Sequence, residues 1–361
     1  MDMSAVDEAR RVLGDAIAAR VFPAAAVDVG TSTGALWQEA LGTLTFDETS
    51  PPGTVRTPFD LASLTKPIAT TSVVMQLVHD GRLRLDEPVA SFFAEWRGAD
   101  REQVTLRDLL EHASGLSARL IDAPPVGRRE FEHDICTMPL EYPSRTQTIY
   151  SDLGFILLGF AAADRGRSSL AAQWASIVRA LTRAEPALSI DPIVFDLDVD
   201  ARRRAAPTLP MDDDPRLGRS LAGEVHDNYA AALGGAAGHA GLFGSAPAVG
   251  AFSRAMLRAA RGDGAVPVPL SPVLVSQILV TSSVPGSSRA LGWDRMLATS
   301  SCGTRMSASA FGHVGFTGTS LWIDPARDRY CVLLTNRACG GGSLDKMRAV
   351  RRAFHDALGQ A

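Results

Sequence analysis

A serine and a lysine three residues apart, in the stretch "LASLTKPIAT" (residues 61–70), are the first pair in this chain whose types and spacing could do chemistry. If a helix begins near Ser63, the two side chains share a face, and Pro67 is tolerated because the first turn needs no backbone donor. A serine hydroxyl is a poor nucleophile until a base lies within hydrogen-bond reach. Lysine, with a reference pKa of about 10.4, becomes that base where burial at the positive end of a helix disfavours its charge. Composition singles out this lysine. The chain holds 36 Lys and Arg, yet lysine stands only at positions 66 and 346. Arginine serves a surface cation equally well, but a guanidinium cannot give up its proton.

Other chemically able residues read as structural. "GTSTG" (residues 30–34) fits G-x-S-x-G, but a nucleophile elbow needs a strand before it and a helix after it. The segment that follows, "ALWQEALGTLTF", alternates like a strand, so Ser32 belongs to a hairpin turn. His226, Asp227 and His239 lack a third strong ligand at metal-site spacing and read as residues tying loops together, so no metal is expected. His79, His112, His133 and His355 fall in helical patterns and read as structural. "GGAAGHAGLFG" lacks the Lys-Ser/Thr of a phosphate loop.

The elements that must position Ser63 and Lys66 follow from periodicity. Residues 4–20 carry Val6, Ala9, Leu13 and Ile17 at helical spacing, with Ser4 placed to cap and Asp7 three residues later. Two strands flank "GTSTG". The far end, "SLWIDPARDRYCVLLTNR", is a strand, a Pro/Asp turn and a second strand, followed by a helix with Leu344, Met347, Val350, Phe354 and Leu358 on one face. Between them helical patterns dominate, interrupted at 196–220 by a long polar loop of the kind that is often functional. The fold class is therefore α/β (α+β). Residues 1–60 and 291–361 form an antiparallel sheet flanked by terminal helices, residues 61–290 form a mainly helical domain, and the site lies at the junction.

Composition excludes several function classes. The 361 residues are 46% hydrophobic and 21% charged, ordinary for a globular protein. A net charge of −4 provides no basic field, so neither nucleic acid nor an anionic membrane surface is an expected partner. The first residues are acidic with no apolar leader-like run, and no apolar stretch approaches the ~18 residues of a membrane span. Cys136, Cys302, Cys331 and Cys339 show no C-x-x-C spacing, which suits reduced thiols in the cytoplasm.

Four stretches carry a family likeness. "FDLASLTKPIAT", "LLEHASGL", "YSDLGFILLG" and "FGHVGFTGTSLWIDP" resemble, in order and spacing, the blocks of the serine β-lactamase and penicillin-binding protein superfamily, in its class C-like and esterase (family VIII-like) branch. The likeness covers nearly the whole chain, and several blocks in the right order are far more specific than S-x-x-K alone. It implies the same two-part fold and no cofactor. It implies Ser63 as the nucleophile of an acyl-enzyme, Lys66 as the group that helps take its proton, and Tyr150 as second base and proton relay. The backbone N–H groups of Ser63 and Phe316 would form the oxyanion hole. Asp152, His313 and Gly315 would contact substrate.

Three residues depart from the family's pattern. His313 and Val314 stand where lysine and threonine are usual, which removes a carboxylate anchor. Asp152 replaces the common asparagine, and an ionised Asp152 would hold Lys66 protonated and shift the base role to Tyr150. "GEVHDNYA" and "GHAGLFG" resemble a subgroup, with Tyr229 displacing the usual asparagine. The resemblance thus implies a serine hydrolase acting on small esters or amides. A class C-like β-lactamase or D-alanyl-D-alanine carboxypeptidase is the first alternative, disfavoured by the missing anchor and export signal. A non-hydrolytic penicillin-binding-like receptor is the second. The sequence leaves open the acyl group, the leaving group and the oligomeric state.

Overall fold

The structure is a computed structural model that describes residues 2–120, 123–212 and 214–359. Its opening helix is Met3–Ala18 and buries Val6, Ala9, Leu13 and Ala16, the face that the spacing predicts. The cap is Asp2 rather than Ser4. The Asp2 carboxylate accepts the Ser4 N–H at 3.0 Å, because a side chain one position outside the helix reaches the free amides of its first turn.

The strands are β1 (Ala24–Thr31), β2 (Gly34–Gly42), β3 (Phe59–Asp60), β4 (Phe243–Gly244), β5 (Asp294–Arg295), β6 (Phe311–Val314), β7 (Ser320–Asp324) and β8 (Arg329–Thr335). Six of them form one antiparallel sheet in the order β2-β1-β8-β7-β6-β5, and β3 pairs with β4 separately. "GTSTG" is the turn between β1 and β2, where Thr31 pairs with Gly34. Ser32 is spent there, its N–H and Oγ each 3.1 Å from the Asp328 carboxylate.

β7 is buried along its whole length, and β1 and β8 are buried except at one end, because helices cover both faces. On one face the opening helix packs beside the C-terminal helix Leu344–Leu358. On the other lies Ala246–Ala260, which contacts β1, β7 and β8. That helix falls within the stretch read as the helical domain, yet it belongs to the sheet. Periodicity marks a helix without saying which layer receives it. Thr71–His79, Asp152–Gly166 and Leu170–Leu181 pack on one another, and one apolar cluster runs from them to the sheet through Val73, Phe155, Trp174, Phe252, Leu321 and Val332. Large side chains buried in this way contribute about 1.5–3 kcal/mol each, which makes the junction rigid enough to hold a site.

The polar segment 196–220 is mostly turns, but it contains one short helix, Val199–Arg204, capped by Asp198. Asp213 of that segment lies outside the described residues. All four cysteines are free and buried. Among the described residues no helix is long and apolar enough to cross a membrane.

Candidate active site

After β3 the chain does not enter a regular helix at Ser63, as the spacing predicts. It makes a 3-10 turn over Ala62–Leu64, a π-helical turn over Lys66–Thr70, and only then the α-helix Thr71–His79. The chain enters this turn through Ala62 at φ +48°, where a Cβ is strained, and Pro67 falls at the start of the π-helical turn, where its missing N–H is tolerated. Asp60 holds that strained turn. Its buried carboxylate accepts the Ala62 N–H at 2.8 Å and the His226 N–H at 2.6 Å, and burial pushes its pKa up to about 6.

The turn nevertheless brings the predicted pair together. Lys66 is fully buried, and its Nζ donates to Ser63 Oγ at 3.1 Å, Asp152 Oδ1 at 2.7 Å and the His239 carbonyl at 3.0 Å. All three ammonium donors are thereby used. Asp152 is the first residue of Asp152–Gly166, where the helix dipole favours its charge. Its other oxygen accepts from Arg119 Nη1 at 3.0 Å. Arg119 also binds Asp227 at 2.8 Å and Asn228 at 2.7 Å, and Asp227 meets His239 Nε2 at 2.7 Å. Alternating charges therefore run Lys66, Asp152, Arg119, Asp227.

This order sets the direction of the lysine's pKa. Burial works against its charge, but the adjacent Asp152 carboxylate outweighs burial and raises the pKa above its ordinary value. Asp152 is held below the usual carboxylate range despite its own burial, chiefly by Lys66. Of the two expectations for Lys66, the direction follows the one in which ionised Asp152 holds it protonated rather than the one in which burial neutralises it: Lys66 rests as a charged donor.

Tyr150 stands just before the N-cap residue Ser151. Its ring centre lies 4.8 Å from Lys66 Nζ, and the ring packs between those of His112 at 4.7 Å and His313 at 5.9 Å. Burial raises the Tyr150 pKa, while Lys66 and Ser63 pull it down without prevailing. The phenol too rests protonated.

The third wall is β6 and the loop after it. His313 Nδ1 is 2.8 Å from the Val314 carbonyl, to which it donates, and the buried Nε2 has no partner among the described residues. Burial, with the Lys66 charge second, holds its pKa well below the usual range, so the imidazole is neutral. Gly315 admits no side chain, since a Cβ there would run into Thr319 Oγ1, the Leu61 carbonyl and Ala62. This contact sets the loop directly against the Ser63 turn. Thr317 and Thr319 fasten it there by donating to the Asp60 and Leu61 carbonyls at 2.7 and 3.0 Å.

Ser63, Tyr150, Asp152, His313, Gly315 and Phe316 all line one cleft of about 500 Å³. Met211, Val314, Phe316 and Leu344 give it an apolar side, and Arg289, Arg348 and Arg351 line it as cations. The cation missing at position 313 is therefore not missing from the cleft. His226 lies against the Phe316 ring, 5.4 Å between centres, while Asp227 and His239 are engaged with each other.

Sequence reasoning missed Asp60, His112, Arg119 and Arg351. His112 is not helical, as its pattern predicts: it follows Leu106–Leu110 at φ +57°, and its Nδ1 accepts the Ser151 N–H at 3.1 Å beside Tyr150. Arg119 carried no signal, because its partners lie 33 and 108 residues away in the chain.

The family model described as Beta-lactamase matches residues 9–355 of this chain. The chain belongs to the beta-lactamase family. This places it among serine hydrolases of the β-lactamase fold. A relative from Escherichia coli (strain K12), provisionally named a D-alanyl-D-alanine carboxypeptidase, is 29% identical over 313 residues, 79% of this chain and 70% of its own length. Among solved structures, "EstCE1, a hydrolase with promiscuous acyltransferase activity" superposes with a TM-score of 0.74 at 21% identity, covering 98% of both chains. A class C beta-lactamase from Rhodobacter sphaeroides superposes at 0.72 with 19% identity, covering 98% of this beta-lactamase-family chain and 99% of its own. At these identities the two structures speak to the fold, and the fold is the antiparallel sheet with helices described above.

Proposed function

We propose that this beta-lactamase-family chain hydrolyses small esters, or amides, through an acyl-enzyme on Ser63. The observation that carries the reading is Ser63 Oγ, 3.1 Å from a fully buried lysine in a 500 Å³ cleft. Ser63 Oγ bonds to the substrate carbonyl carbon, the bond to the leaving group breaks, and the Ser63 proton ends on the departing oxygen or nitrogen. Water then cleaves the Ser63 ester and frees the acid. Because Lys66 and Tyr150 both rest protonated, Tyr150 first gives up its proton to solvent, and the phenolate then takes the Ser63 proton and passes it to the departing oxygen or nitrogen. The N–H groups of Ser63 and Phe316 receive the negative oxygen of the tetrahedral intermediate, a contribution of about 3 kcal/mol per donor. The apolar side of the cleft and the neutral His313 support an uncharged acyl group.

One observation favours a second reading. Arg348 lines the cleft, so a substrate carboxylate, as in D-alanyl-D-alanine ends, has a cation there despite His313. Steady-state turnover of p-nitrophenyl butyrate beside a cephalosporin and a D-alanyl-D-alanine peptide separates the two. The ester is expected to be the better substrate, and Ser63→Ala is expected to lose about a thousandfold or more in kcat. Stoichiometric labelling of Ser63 without turnover would make the protein a receptor instead.

A further inference from the structure

Arg351, on the C-terminal helix, is a cation out of place. It is 6% exposed, and no carboxylate pairs with it among the described residues. Its Nη2 donates to the Gly315 carbonyl at 2.6 Å and to the Thr319 carbonyl at 2.8 Å, while its buried Nε has no partner among the described residues. Arg337 grips the same loop, donating to the Phe316 carbonyl from Nε at 3.1 Å and Nη2 at 2.7 Å. Burial is the main force against the Arg351 charge, with Arg337 and Arg348 adding repulsion, and together they pull its pKa to about 9. Removing one partner of a buried charge is strongly unfavourable, and here the described residues supply no paired carboxylate. A charge kept under such conditions fits a site where negative charge arrives during reaction.

The peptide that Arg351 holds decides what that site is. The Gly315 carbonyl and the Phe316 N–H belong to one planar amide, so a cation on the oxygen draws electron density from the nitrogen and strengthens the N–H as a donor. Gly315 fixes the position of the same amide against the Ser63 turn. We propose that Arg351 is a positioning residue for the oxyanion hole: it orients and polarises the Gly315–Phe316 peptide for the oxygen that turns negative when Ser63 attacks. The proposal rests on Ser63 as nucleophile and Phe316 as oxyanion donor. A rival role is direct pairing of the free Nε with a substrate carboxylate, since Arg351 lines the cleft. The rival acts only on charged substrates and in KM, whereas polarisation acts on every substrate and in kcat.

Arg351→Met, Arg351→Gln and Arg351→Lys separate these roles, assayed on p-nitrophenyl butyrate and on the p-nitrophenyl monoester of glutaric acid. Inhibition by butylboronic acid, whose serine adduct is tetrahedral and anionic, is measured alongside. Arg351→Met is expected to lose about tenfold to a hundredfold in kcat on both esters with KM little changed, a fraction of what deleting a donor outright does. Boronate affinity is expected to fall in parallel, and Arg351→Lys to recover more of both than the neutral Arg351→Gln. If Arg351→Met does not fold by circular dichroism, the Lys and Gln variants carry the comparison. A loss confined to the glutarate ester or to KM overturns the proposal, as does unchanged kcat and boronate binding in folded variants. Ser63→Ala in the same assay keeps the two claims apart: retained turnover there would sink the serine reading, whereas abolished turnover beside fully active Arg351 variants would sink this one alone.

Discussion

Lys66 answers at the residue scale why one catalytic candidate is lysine in a chain whose other cations are almost all arginine. Its ammonium fits a closed space with one donor each for Ser63, Asp152 and the His239 carbonyl. The rarity of lysine and the three-residue spacing made the pair legible, and Asp152 was legible as its counter-charge. Arg119, which shares that counter-charge, was not, because pairing across the fold leaves no periodic trace. The charges predict a pH profile. With Lys66 and Tyr150 both above their ordinary pKa values, kcat/KM for an uncharged ester should still be rising above about pH 8. Asp152→Asn removes the anion, leaves burial to lower Lys66, and should move the rising limb down by about one pH unit or more. An unshifted limb would show that Asp152 does not hold the lysine charged. The same pair fixes a sign for stability. Asp152, with its depressed pKa, contributes above its ordinary value of 3.8 and loses that contribution as pH falls through the folded value. Lys66, with its raised pKa, contributes below 10.5 and loses it as pH rises through the folded value.

At the scale of elements, the turn after β3 is where sequence reading and structure part most. A regular helix is what S-x-x-K suggests, but the chain takes a strained Ala62, tied through Asp60 to the distant His226 N–H, and a π-helical turn whose Thr70 donates to the Gly238 carbonyl, and no local pattern announces either tertiary bond. Asp60→Asn tests that anchor. Asparagine has one acceptor oxygen for the two amides of Ala62 and His226, a loss of about 1–3 kcal/mol. It also relieves a buried carboxylate whose pKa is pushed up to about 6, worth about 3 kcal/mol at neutral pH. The two offset, so the melting temperature at pH 7 should stay near wild type while kcat falls about tenfold or more as the Ser63 turn loosens. Unchanged kcat would show that Asp60 does not position the nucleophile. The C-terminal helix taught a related lesson. Its apolar spacing predicts a face of Leu344, Met347, Val350, Phe354 and Leu358, but the buried stripe runs through Met347, Arg351, Phe354 and Leu358, and Leu344 is 47% exposed at the cleft. An arginine at i+4 from Met347 on an amphipathic helix was the available sign of a buried cation.

For the whole molecule, the hairpins at the two ends of the chain were legible as partners because each showed a strand, a turn and a strand, and together they supply β1, β2, β7 and β8. The placement of Ala246–Ala260 on the sheet was not legible, since a helical period carries no address. The cleft forms where these layers meet: Ser63 enters from the helical side, Tyr150 from the loop before Asp152–Gly166, and Gly315 from the end of β6. The arrangement leaves one serine beside a buried lysine and places the other sequence candidate, Ser32, in the hairpin turn with Asp328. The central claim is thus that the acyl group of a substrate passes through Ser63. Rapid acid quench of the protein during turnover of p-nitrophenyl butyrate, followed by peptide mass mapping, reads this directly. The account predicts a butyryl group on the peptide that contains Ser63, absent in Ser63→Ala. Butyrylation of the Ser32 peptide, or turnover that persists in Ser63→Ala with the fold intact, would contradict it.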